Sequence, residues 1–303
     1  MECISIILSS FPPLHPLLFS SHLPLMKRLI INADDLGVNS QRSHGIFQCM
    51  EFGVVSSTSL YPNGTDSDAA AKHARERGVS VGLHLNLTEE FPLSKRETIE
   101  SILEGNGMFM EPHRLEEALN DGEVEPEHLS REIRTQVEWF FDTCGYPTHI
   151  NSHHHMHLHP MIATALMPIM ERYGLSKIRI PYEMPIPPFG YVVPEEQVER
   201  VAKMNEKALI AKKIYAGNGF ETTDHFRGMC LAGNASIKNI KHIISKLPDG
   251  TTELMVHPGS AITYGTKYDL DPQRQTELRM LLDDVVKEFI AEKGVELVGW
   301  DEI

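Results

Sequence analysis

Strand-length apolar runs alternate with helical stretches from one end of this chain to the other, and that alternation decides the class of fold. Leu29-Ile30-Ile31-Asn32-Ala33 is the first clear run, and near-continuous hydrophobicity of this kind is what a strand covered on both faces requires. A helix from Ser40 to Phe52 follows, with Ser40 as its N-cap and Gly53 just past its end. Val54 to Tyr61, Val79 to Leu87, Pro147 to Ser152, Lys177 to Pro181, Glu253 to Val256 and Val295 to Trp300 read as further strands. Helices are expected at 65–77, 129–144, 160–173, 195–213, 235–246 and, as one long helix, 272–292, with short helical pieces near 97–104 and 113–120. No linker and no internal repeat interrupts the series. One parallel-sheet α/β domain over residues 26–303 is therefore expected.

The polar residues choose between an open sheet and a barrel. Asp34 and Asp35 end the first run, and His84 sits in a strand where Val81, Leu83, Leu85 and Leu87 alternate with Gly82, His84 and Asn86. Six of the sixteen histidines fall between His149 and His159, and His257 follows Val256. An open sheet would spread these strand ends, whereas a TIM-type (β/α) barrel, regular, distorted or one strand short, gathers them at one mouth. The Gly-, Glu- and Pro-rich excursion 89–128 and the proline-rich rim 181–194 would border that mouth.

Composition removes several partners. A formal charge of −14 argues against nucleic acid and anionic membrane surfaces, both of which attract basic patches. The four cysteines, Cys3, Cys49, Cys144 and Cys230, form no Cys-x-x-Cys pair, so a reduced, cytoplasmic protein is the simplest reading. There is no apolar run long enough to span a bilayer. Residues 1–25 have no Lys or Arg and are broken by Pro12, Pro13, Pro16 and Pro24, which does not suit a secretory signal. They are expected to be a poorly ordered extension or an artefact of start-codon choice.

The residues at the mouth allow metal-assisted hydrolysis. Asp34-Asp35 suits a solvated turn as well as a site, but neighbouring carboxylates point apart, so one can hold an ion while the other acts on water. His84 and His153, with one aspartate, make a three-ligand set that leaves open positions for water or substrate. His257, before Pro258-Gly259, brings a proton-transfer group. Such a set would cleave an amide or ester by attack of a metal-bound water. A nucleophilic serine route lacks its Gly-x-Ser-x-Gly motif. A phosphoester or another acyl amide as substrate, and a non-catalytic sugar- or metal-binding protein, stay open at this point.

Five segments, Lys27 to Gly37, Gly53 to Ser59, Gly82 to Leu87, Pro147 to His157 and Met255 to Gly259, resemble in sequence and order those of the YdjC-like carbohydrate deacetylases, which include chitooligosaccharide (diacetylchitobiose) deacetylases. The resemblance implies a TIM-barrel-like fold of the glycoside hydrolase/deacetylase type, a divalent metal, and removal of acetyl groups from N-acetylated sugars or oligosaccharides. By position, Asp35, His84 and His153 match the metal ligands, Asp34 the base and His257 the acid. Arg179, Asn86, Asn151 and His155 are further candidates for substrate or supporting contacts. Relatives give magnesium as the metal and make a homodimer plausible, while two imidazoles and a carboxylate suit zinc at least as well. Two departures stand out. Asn151 occupies a position where Asp is common, so a supporting contact to the cluster histidines could lack a charge, and Leu36 occupies one where an aromatic is common.

Overall fold

The computed structural model describes residues 26–184, 193–262 and 270–303. The expectation for residues 1–25, and the middle of the proline-rich rim, lie outside the described residues. Strand β1 (Lys27–Leu36) leads into α1 (Ser40–Phe52), β2 (Ser57–Leu60), α2 (Ser67–Arg77) and β3 (Val81–Leu85). The excursion that follows carries α3 (Pro112–Asn120) and joins α4 (Pro126–Thr143), β4 (Ile150–Ser152) and α5 (Pro160–Arg172). The chain continues with α6 (Glu195–Gly217), β5 (His225–Arg227), α7 (Ile237–Ser245), β6 (Gly250–Val256), α8 (Gln273–Leu282), α9 (Asp284–Glu292) and β7 (Glu296–Leu297).

Among the described residues the seven strands pair in parallel, in the order β4-β3-β2-β1-β6-β5, with β7 beside β1. Beyond β4 the ladder continues through single bridges, Ile150 to Ile178 and Lys177 to Glu221. The segment that starts at Glu221 runs into β5, which pairs with β6. Hydrogen bonding thus passes right round the molecule, and the fold is a distorted (β/α) barrel. β1 is its central stave, aliphatic through Leu29, Ile31 and Ala33 and buried from Leu29 to Leu36.

Four local expectations need correction. The helix expected over 272–292 is two helices, because Asp283 is extended (φ −76°, ψ 124°) and its side chain caps Val285 N–H. Asn39, not Ser40, caps α1, accepting from Arg42 N–H. Only Glu296 and Leu297 of the last expected strand pair with β1, after which Trp300 turns into the barrel floor. Lys177 to Pro181 contributes bridges rather than a ladder, and the short β5 was not anticipated.

Several buried side chains inside the barrel are polar. Arg179 and Glu253 are fully buried and joined by Nη2 to Oε1 at 2.6 Å. Trp300 donates Nε1–H to the same carboxylate at 3.4 Å and stacks on His149, ring centroids 4.5 Å apart. Gly82 exists to admit that histidine, since a Cβ there would lie 2.3 Å from the His149 ring. No helix among the described residues is long and apolar enough to cross a membrane.

Candidate active site and cation site

β1 delivers two adjacent carboxylates to one place by breaking its own geometry. Side chains alternate along an extended strand, but the register with β2 shifts between Ala33 and Leu36, and Asp35 takes φ +70°. Left-handed backbone at a non-glycine residue is held only where its surroundings fix it, and such strain collects at sites. Asp34 turns to the barrel interior and Asp35 toward β3 and β4.

Asp35 Oδ1 stands 3.3 Å from His84 Nε2 and 3.3 Å from His153 Nδ1, and those two nitrogens are 3.3 Å apart. His84 comes from β3; His153 follows β4, where the next two residues, His154 and His155, have φ +53° and +56°. Donor atoms each about 2.0–2.2 Å from one ion lie roughly 3.0–3.6 Å from one another. The near-equilateral triangle of one carboxylate and two imidazoles therefore fits a single divalent cation, and all three side chains are buried. Burial disfavours charge on His153, but Asp35 on one side and Glu89 on the other, 3.1 Å from Nε2, push its pKa up to about 10. A group flanked in this way attracts positive charge.

Asp34 is organised differently. Arg179 donates Nη1–H to Oδ2 at 2.5 Å and Nη2–H to Oδ1 at 2.7 Å. Asn32 Nδ2 and Ser59 Oγ add bonds to Oδ1 at 2.8 and 3.3 Å. Burial alone would raise this carboxyl, and the Arg179 guanidinium more than reverses that, holding it below the usual carboxylate range. On the far side His257 Nε2 stands 4.0 Å from Asp34 Oδ2. The His257 peptide is clamped by Glu277, which accepts its N–H at 2.5 Å, and by Arg274 and Arg42, which reach its carbonyl at 3.3 and 3.4 Å. Burial, with Arg274 nearby, lowers the ring to about 3, so it rests neutral.

These groups floor a cavity of about 530 Å³ lined also by His154, His155, Gln197, Arg200, Met204 and Met229, within the range of small-ligand sites. Asp34, His84, His153, His155 and His257 are thus brought together, with Asp35 beneath His84 and His153. Arg179 lies behind Asp34 rather than on the cavity wall. Asn86 does not reach the cavity; its amide bonds Asn63 Oδ1 and the Glu89 carbonyl, which shapes the loop after β3. Asn151 meets His84, Nδ1 at 2.7 Å, rather than the histidines of its own cluster. Glu89, Glu253, Glu277 and the α6 wall were not foreseen. Glu253 left a signal, a carboxylate inside an otherwise uncharged buried strand, which demands a buried cation.

A family model described as YdjC-like protein matches residues 28–292. A carbohydrate deacetylase of Geobacillus stearothermophilus is 31% identical, over 90% of this chain and 96% of its own length. A carbohydrate deacetylase of Danio rerio is 27% identical, over 91% of this chain and 98% of its own. Among solved structures, an Enterococcus faecalis protein named for cellobiose-phosphate cleavage superposes with a TM-score of 0.73 at 24% identity, over 91% of this chain and 98% of that one. That likeness shows a shared fold.

Proposed function

The chain belongs to the YdjC-like protein family, and from that premise we propose that it is a carbohydrate deacetylase, hydrolysing the acetamido group of an N-acetylated sugar or oligosaccharide. The observation that carries this reading is the pairing, on one cavity floor, of the Asp35–His84–His153 triangle with Asp34 and His257. Asp35, His84 and His153 would hold a divalent cation, magnesium or zinc. Such a cation supplies polarisation of the acetyl carbonyl and a lowered pKa for water.

The protein's own part is proton movement. Asp34 accepts a proton from the attacking water at Oδ2, the oxygen nearer His257. Its bonds from Arg179, Asn32 and Ser59 favour the ionised form, so the proton is held weakly. His257 rests neutral with its Nε2 4.0 Å from Asp34 Oδ2, so taking that proton and delivering it to the leaving nitrogen needs a closure of about 1 Å or one bridging water. One proton thus travels from water to the amine without an external donor. The fork from Arg179 keeps Asp34 aimed throughout.

One observation favours a second reading, a phosphoester or a sugar with an anionic substituent: Arg200 lines the cavity, as does Arg274, which is paired with Glu277. Acetate and phosphate release from matched substrates separate the two.

The roles are tested by substitution. Asp34→Asn is expected to bind cation like the wild type in calorimetry while turnover drops at least a hundredfold, whereas His84→Ala should lose both. Wild-type turnover in Asp34→Asn would remove Asp34 from the reaction.

A further inference from the structure

We infer that Asn151 couples the cation site to the Arg179–Asp34 pair, because its amide must turn over when His84 takes a cation. The inference rests on the cation-site reading above. The Asn151 side chain is fully buried between His84 and the fully buried Arg179. In one orientation Oδ1 accepts from His84 Nδ1 at 2.7 Å and Nδ2 donates to Ser59 Oγ at 3.1 Å. The same Nδ2 then faces Arg179 Nη1 and Nη2 at 3.1 and 3.0 Å, where every group is a donor. Turned over, that conflict disappears: Nδ2 donates to His84 Nδ1 at 2.7 Å, and the oxygen accepts at 3.1 Å from Arg179 Nη1, which holds the one guanidinium hydrogen that Asp34 and Glu253 leave over.

The satisfied orientation fixes the tautomer of His84. An Nδ1 that accepts has no proton, so the neutral ring carries its proton on Nε2, the atom that faces Asp35 Oδ1 and His153 Nδ1 at 3.3 Å. A protonated nitrogen has no lone pair for a cation. Cation binding therefore requires the other tautomer: the proton leaves Nε2, one is taken up at Nδ1, and the ring's proton count is unchanged. The amide turns so that its oxygen meets the new Nδ1–H, which brings its NH₂ against the guanidinium. Asn151 is thus a positioning residue that opposes cation binding. A carboxylate at this position would accept from His84 and Arg179 together and remove the conflict.

The direct test is nitrogen-15 NMR of histidine-labelled protein, metal-stripped and then saturated with zinc, with the His84 signals assigned by their loss in His84→Asn. The expected result is Nε2–H in stripped wild type, Nδ1–H after zinc, and Nδ1–H in Asn151→Asp even without zinc. Asn151→Asp should also bind zinc roughly 10–100-fold more tightly in calorimetry; added charge alone would tighten binding, so the tautomer is the deciding readout. Nδ1–H in stripped wild type would overturn the coupling while leaving the cation site standing. No response of His84 to zinc would overturn the cation-site reading and the coupling with it.

Discussion

At the scale of single residues, Arg179 carries the most consequence. It is fully buried, neutralises Asp34 through a two-pronged fork, and shares Glu253 Oε1 on its other side. Removing it leaves two carboxylates with no cation between them, and breaking a buried ion pair from one side typically costs about 3–5 kcal/mol. Arg179→Met is expected to lose stability of that order in urea unfolding; a loss below about 1 kcal/mol would mean the barrel interior is wet enough to solvate both acids. Histidines and paired aspartates at strand ends made much of this site legible in the sequence, because few other residues do that chemistry. The turn of Asp35 into left-handed backbone was not legible, since no glycine or asparagine marks it. Nor was Glu89, whose meeting with His153 depends on how the loop after β3 folds.

At the scale of elements, fit between neighbours sets the tolerance to change. Gly82 in β3 faces the His149 ring, which is pinned by its stack on Trp300, so an added methyl has nowhere to go. Gly82→Ala should cost about 1–3 kcal/mol, whereas Gly217→Ala, with nothing within 4 Å of the added carbon, should be neutral or slightly stabilising in the same thermal melts. The segment after β4 is tied to the next stave by His157, whose Nε2–H donates to the Arg179 carbonyl at 2.9 Å while Nδ1 meets Ser152 Oγ at 2.6 Å. Burial lowers its pKa from 6.5 to about 3. A depressed folded value means the contribution is complete above the unfolded value and is lost as pH falls from 6.5 toward 3. The unfolded chain then binds the extra proton, a slope of about 1.4 kcal/mol per pH unit. Unfolding free energies of wild type and His157→Gln across that window should differ in slope by this amount; parallel curves would show that His157 is protonated in the folded protein. Periodicity located most elements, but not the break at Asp283 or the three-residue β5, because capping and single-strand pairing depend on what packs alongside.

At the scale of the whole molecule, the barrel explains why residues more than two hundred positions apart share one floor. Asp34 lies near the C-terminal end of β1, His84 lies in β3, His153 follows β4 and His257 follows β6, so closing the sheet brings their ends to one mouth. That convergence could be argued from the alternation of strands and helices. The wall facing it, from α6 and the turn after β5, could not, because Gln197, Arg200, Met204 and Met229 carry no local pattern that distinguishes a cavity lining from a helix surface. The most direct test of the account is acetate release from diacetylchitobiose by metal-stripped protein, with magnesium, zinc or no metal restored. Acetate release that vanishes on stripping and returns with an added cation is the predicted result. Equal release by stripped and reloaded protein, or none with any cation that calorimetry shows bound at the Asp35–His84–His153 triangle, would contradict it.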